Sequence, residues 1–232
     1  SWWYANASWR DVPKLIARID IIYSDGTIIS VPSDTTWITS DGGCVFNHTH
    51  QGEIYDARLE KTGWNTPEYD AGNWENAVVV RGAGIPYPKT NPPVKVIRQI
   101  KPVSYKNGIY DFGENISGWA RITAKGERGR EILLRYDEML NDKGELRGLV
   151  NRARNFEQNK LHHEDIYIMS GDGIETFAPK FNYHGFRYVE AVNAPEEFEI
   201  VAEVVHTDLK KRSSFECSDK MLNLIHEASV RS

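Results

Sequence analysis

The stretch 47-NHTHQGEIYDARLE-60 packs two histidines, two glutamates, an aspartate and an arginine into fourteen positions. Its reading decides between a reactive site and a piece of framework. Taken as a strand over 53–60, it alternates: Tyr55, Ala57 and Leu59 face one side, and Asp56, Arg58 and Glu60 face the other. An apolar stripe opposite a row of alternating charge predicts a half-buried strand with an ion-pair ladder, each exposed pair worth about 0–1 kcal/mol. His48 and His50 share a face if the strand extends back that far, which starts a transition-metal site but leaves its third ligand unsupplied. The adjacent His162 and His163 are a weaker pair, because neighbours on a strand point apart.

Working outward, the same period of two dominates. Residues 15–23, LIARIDIIY, place Ile19, Ile21 and Tyr23 on one face; SDGT at 24–27 supplies an Asp-Gly turn, and IISV at 28–31 returns as the second arm of a hairpin. The segment 63-GWNTPEYDAGNW-74 contains Gly63, Pro67, Asp70 and Gly72, which break regular structure. It reads as a long corner anchored by Trp64, Tyr69 and Trp74. VVVR at 78–81 reads as a strand, and 82-GAGIPYPKTNPP-93 as a glycine- and proline-rich seam that excludes helix.

Beyond the seam, strands are predicted at 94–100, 109–113, 118–126, within 126–140, and within 164–173, 180–192 and 198–207, with the spacing of a sandwich. Asp111-Phe112-Gly113 reads as a strand ending in a turn, since none of the motifs that accompany a kinase DFG surrounds it. Only the end changes period: Met221, Leu222, Ile225 and Ala228 share one helical face behind Ser218 as N-cap, which predicts a helix over 219–231.

Composition narrows the function classes. The chain has 232 residues, 40% of them hydrophobic, enough for two modest domains. A net charge of −5 without long single-sign runs gives no pull toward nucleic acid or anionic membrane. Cys44 and Cys217 are too few and too far apart for a disulfide framework or a zinc site. No apolar run reaches the roughly 18 residues of a membrane span. The opening SWWYANASW lacks the basic-then-apolar order of a signal peptide, so a cytoplasmic location is expected ahead of a secreted one. Trp2, Trp3, Tyr4 and Trp9 read either as a loop folded over a core or as an aromatic rim that stacks on sugar faces.

Catalytic motifs are scarce. The sequence contains no GxSxG, HExxH or GxxxxGK[ST], and no pair of acids stands out as the two carboxylates a glycosidase holds across its pocket. The residues alone describe an all-β chain of two β-sandwich domains followed by the start of a helix, aromatic-rich, with sugar binding as one open reading.

Five strings, in this order, carry a resemblance: QGEIYDARLEKTGWNTPEYDAGNW (51–74), YDFGENISGWARI (110–122), the run from LLRYDEML to NDKGEL (133–146), FNYHGFRYVE (181–190) and SSFECSDKMLNLIHEA (213–228). Together they resemble the amino-terminal half of bacterial α-L-rhamnosidases, inverting glycoside hydrolases. The resemblance implies a jelly-roll-like sandwich at 1–93, a second, concanavalin-like sandwich at 94–207, and at 208–232 a linker with a helix similar to the first helix of an (α/α)6 barrel. That family's general acid and base lie in the barrel, which this chain lacks, so no catalytic residue carries over and the chain is expected to be inactive alone.

Some relatives bind rhamnose through calcium in the first sandwich, at an Asp-Asn pair before the YxGExYDAR strand. The matching place here is Asn47-His48, which trades carboxylate for imidazole and so weakens the oxygen set that calcium prefers. Candidate carbohydrate contacts are Asn47, His48, Glu53 and Asn91, with Asn47 and Asn91 the oxygen donors toward calcium; no other cofactor is expected. The implied partners are a rhamnosylated glycan or glycoside and the missing catalytic domain, with no nucleic acid and no membrane. Three roles follow: a non-catalytic rhamnosidase scaffold, a stand-alone rhamnose-binding module, or a structural interaction piece whose apolar helix stripe takes a partner.

Overall fold

The computed structural model describes residues 14–49, 51–82, 85–148, 163–210 and 212–231. Its strands are β1 (Arg18–Ile22), β2 (Ile28–Pro32), β3 (Ile38–Thr39), β4 (Cys44–His48), β5 (Gly52–Asp56), β6 (Glu75–Asn76), β7 (Val94–Ile100), β8 (Ser104–Lys106), β9 (Ile109–Lys125), β10 (Glu131–Asp137), β11 (Glu164–Ile168), β12 (Ile174–Phe177), β13 (His184–Val192) and β14 (Glu197–Thr207). One α-helix among the described residues, α1 (Lys220–Arg231), follows the strands. The architecture is all-β with a terminal helix, as the period of two predicts.

Ten strands form one curled sheet, ordered β4-β5-β11-β10-β13-β9-β14-β7, with β12 and β8 also paired to β9. β9 organises it. The first half of this 17-residue strand pairs with β8 and β13, and its second half with β12 and β14. The changeover is at Gly118, where a Cβ would stand 1.9 Å from the carbonyl oxygen of Glu203, so only glycine lets the backbones meet there. Along β9 the alternating Ala120, Ile122 and Ala124 point inward and join Ile132, Leu134, Tyr136, Met169, Phe186 and Val189 in the core. Phe186 meets Phe112 edge-on at 5.9 Å and Tyr136 at 5.0 Å, geometries that aromatic quadrupoles favour.

The strand over 53–60 stops at Asp56, because the Asp56 side chain accepts the Arg58 N–H and caps a single 3-10 turn over Ala57–Leu59. Asp56 and Arg58 still pair through two side-chain hydrogen bonds, at 2.8 and 2.7 Å, but Glu60 leaves the ladder and accepts the Tyr55 hydroxyl at 2.6 Å. The strand at 109–113 does not end: Gly113 takes φ +81°, Asp111 holds the bend by accepting the Gly113 N–H, and β9 runs on. Residues 78–81 form no strand and lie exposed. Trp64, expected as a buried anchor, is 62% exposed, and the corner is instead held by Tyr69 against Trp74, edge-on at 5.7 Å. The helix is capped by Asp219 rather than Ser218, since the Asp219 carboxylate accepts the Met221 and Leu222 N–H groups.

The 24–27 turn does form the predicted hairpin, with Gly26 at φ +85° and Ile22 paired to Ile28. Both its strands are exposed along their whole length. The remaining small sheet pairs β3 with β6. Only β4 and β5, of the strands before the seam, enter the large sheet, where β5 runs parallel to β11 with Tyr55 opposite Tyr167. Gly52 permits that contact: it adopts φ +125°, and a Cβ there would lie 1.7 Å from the Glu164 carbonyl oxygen.

Candidate functional site

The densest polar chemistry lies where β5, β10, β11 and β13 meet. Alternation turns Asp165 of β11 and Tyr136 of β10 inward, and both are 0% exposed. One Asp165 oxygen accepts the Glu53 N–H at 2.9 Å and the Asn182 side-chain amide at 3.0 Å; the other accepts the Tyr136 hydroxyl at 2.7 Å and faces His184 Nε2 at 3.1 Å. The His184 ring stacks on Tyr136 with centroids 4.0 Å apart. Burial alone would raise the Asp165 pKa, but His184 and the Tyr136 and Asn182 hydrogen bonds outweigh it and hold the carboxyl below its ordinary range. The same burial, with the Asp165 charge beside it, drives the Tyr136 hydroxyl well above its usual value.

Glu53 comes from the opening stretch and is also 0% exposed. Its Oε2 accepts the main-chain N–H groups of Lys180 and Phe181, both at 3.0 Å. Burial pushes its pKa up against those two bonds. Glu53 and Asp165 are thus two carboxyls with pKa values pushed apart, the electrostatic pattern of an acid–base pair. Neither presents surface to a substrate, so the pair works as internal bracing. Two buried oxygens beside it, Glu53 Oε1 and Asn182 Oδ1, have no hydrogen-bond partner among the described residues.

Of the predicted carbohydrate residues, Glu53 belongs to this network. Asn47 and His48 lie on β4 and pair in register with Glu53 and Gly52. Asn47 is exposed, its amide nitrogen directed at Cys44 Sγ at 3.7 Å, while Asn91 lies exposed in the seam. The one carboxylate among them, Glu53, is sealed inside on main-chain donors, and among the described residues no group of three or more His, Cys, Asp or Glu is placed to hold a metal ion. His50, His162 and the Trp2, Trp3, Tyr4 and Trp9 cluster lie outside the described residues. His163 takes φ +55° and packs beside His184, centroids 5.3 Å apart.

Two constellations escaped the sequence reading. On the outer side of β9 and β14, Glu203 is 7% exposed and accepts hydrogen bonds from Trp119 Nε1, Arg121 Nε and Gln99 Nε2 at 2.7, 3.0 and 2.8 Å. In an open cleft of about 580 Å³, Arg135 bridges Glu164 and Glu190 across three strands, next to Lys143 and Glu145. The exchanged signs of 135, 164 and 190 were readable in the sequence, but their register across the sheet was not.

The signature of the α-L-rhamnosidase N-terminal domain matches residues 3–98, and that of the bacterial α-L-rhamnosidase concanavalin-like domain matches residues 101–210. The chain belongs to the α-L-rhamnosidase family. It is 33% identical to an α-L-rhamnosidase of Formosa agariphila over 97% of its own length and 25% of that protein's. Among solved structures, the α-L-rhamnosidase from Dictyoglumus thermophilum superposes with a TM-score of 0.85 at 36% identity, covering 96% of this chain and 26% of that one. The Streptomyces avermitilis α-L-rhamnosidase complexed with L-rhamnose gives 0.79 at 29% identity, over 93% and 21%. The chain therefore spans about a quarter of the length of the rhamnosidases it matches, and the match falls on their N-terminal β-domains.

Proposed function

We propose that this rhamnosidase chain is a non-catalytic β-scaffold, whose partner is a rhamnosidase catalytic domain and whose ultimate substrate class is rhamnosylated glycosides. One observation carries the reading: the acid pair with separated pKa values, Glu53 and Asp165, is sealed at 0% exposure, whereas an inverting glycosidase keeps its two carboxyls on either side of a cleft with room for water. The more open carboxylates, Glu164 and Glu190, are both tied to Arg135. Residues 1–93, 94–207 and 208–232 are taken as successive parts, with β4 and β5 bridging the first two. Met221, Leu222 and Ile225 of α1 stand 63, 49 and 54% exposed, an apolar side suited to a helical neighbour.

The test is release of nitrophenol from 4-nitrophenyl α-L-rhamnoside. The chain alone should give no turnover above buffer. Turnover that disappears in Glu164→Gln or Glu190→Gln would overturn the scaffold reading and make the Arg135 cleft an active site.

A further inference from the structure

A second cleft, of about 400 Å³, opens between the β8–β9 hairpin and β14 and is lined by Lys101, Ser104, Tyr105, Tyr110 and Glu199. The hairpin fixes its wall. Asn107 and Gly108 take φ +53° and +83°, the left-handed pair that a tight two-residue turn requires, and this sets Tyr105 directly opposite Tyr110. The two rings lie 4.5 Å apart and 35° from coplanar. Tyr110 is backed by Phe198 at 6.1 Å, itself packed against the core, so the inner ring has little freedom to move. Tyr105 remains 62% exposed despite that neighbour. Burial, reinforced by Tyr105, raises the Tyr110 pKa.

We propose that this cleft binds a neutral pyranose saccharide, with Tyr105 as the stacking platform. A pyranose has one C–H face and a rim of hydroxyls, and the cleft offers the complement: aromatic surface flanked by an ammonium, a hydroxyl and a carboxylate. Lys101 and Glu199 carry opposite charges, so the site favours neither an anionic nor a cationic ligand. Rhamnosides are the first sugars to test, a choice that rests on the scaffold reading. The cleft itself does not depend on it, because binding and turnover are separate measurements.

Methyl α-L-rhamnoside and methyl β-D-glucoside are titrated into the whole chain by calorimetry, with saturation-transfer NMR to locate the contact. Saturable binding of at least one of them is expected, with Tyr105→Ala weakening it by about tenfold or more and Tyr105→Phe retaining it. The exposed position of Tyr105 leaves the fold intact in both variants, which unchanged far-UV dichroism verifies. Absence of saturation by either sugar up to about 50 mM, binding indifferent to Tyr105→Ala, or uptake of a polyproline peptide in place of sugar would each overturn the assignment. Failure here with no aryl-rhamnoside turnover leaves the scaffold standing, and turnover with sugar binding leaves the cleft standing.

Discussion

The β1–β2 hairpin and the β9–β14 region obey the same sequence rule and end differently. Both alternate apolar and polar residues. In the hairpin, Ile19, Ile21, Ile29 and Val31 are 55, 44, 47 and 40% exposed, whereas in the large sheet Ala120, Ile122, Leu134 and Ala202 are at 0%. Alternation supplies a strand with one apolar face; burial needs a second layer to close over that face. The large sheet provides its own second layer because β9 serves both halves of the curl. The hairpin has two strands and no covering element among the described residues, and a two-stranded unit is at best marginally stable by itself.

The sharpest way to break this contrast is Phe186→Ala. It removes the ring between Phe112 and Tyr136 and should cost about 3–5 kcal/mol, read as a lower urea midpoint for the main unfolding transition. Asp165→Ala should cost nearly as much, about 3–5 kcal/mol, since it strands the Tyr136 hydroxyl, His184 and the Glu53 N–H inside the sheet; thermal unfolding followed by near-UV dichroism checks it. A loss below about 1 kcal/mol would mean the network adds little to the core.

Glu53→Gln sharpens the comparison through pH. Because burial raises the Glu53 pKa, its contribution to stability is whole below the ordinary glutamate value of 4.5 and is lost as pH rises through the raised folded value. Asp56, Asp111 and Asp165 are lowered and act in the opposite sense, losing stability as pH falls below the usual aspartate range. Glutamine keeps the acceptor for Lys180 and Phe181, so the variant should gain melting temperature over the parent at pH 8 and lose that advantage by pH 4. Parallel melting curves across that range would show that Glu53 is no more burdened folded than unfolded.

The smallest effect belongs to the exposed corner. Trp64→Ala should change stability by no more than about 0.5 kcal/mol, measured by the same urea titration, because the residue that the sequence suggested was an anchor is 62% exposed among the described residues.

Local signals were legible where local physics decides. The Asp-Gly hairpin, strands β7, β10 and β14, and the terminal helix all follow from periodicity and turn chemistry within a dozen residues. The opening stretch was readable as framework for the same reason. Its true strand end was missed because the Asp56 side chain caps forward, accepting the Arg58 N–H two residues on, a hydrogen bond that competes with the ladder. What could not be read were registers between distant segments: that Glu53 would meet Lys180 and Phe181, that Arg135 would sit between Glu164 and Glu190, or that Tyr105 and Tyr110 would border Glu199. Valine-rich 78–81 failed in the opposite way, since β-propensity makes no strand unless a neighbour pairs with it, and among the described residues none does.

The parallel contact of β5 with β11 also sets a timetable. Glu53 and Asp165 are 112 residues apart, so at about 5–20 residues per second a ribosome needs roughly 6–22 s between making one and making the other. Throughout that interval the nascent β5 has an open margin of hydrogen-bonding groups and a carboxylate without its cradle. Chaperone capture or mispairing should therefore concentrate on residues 44–56.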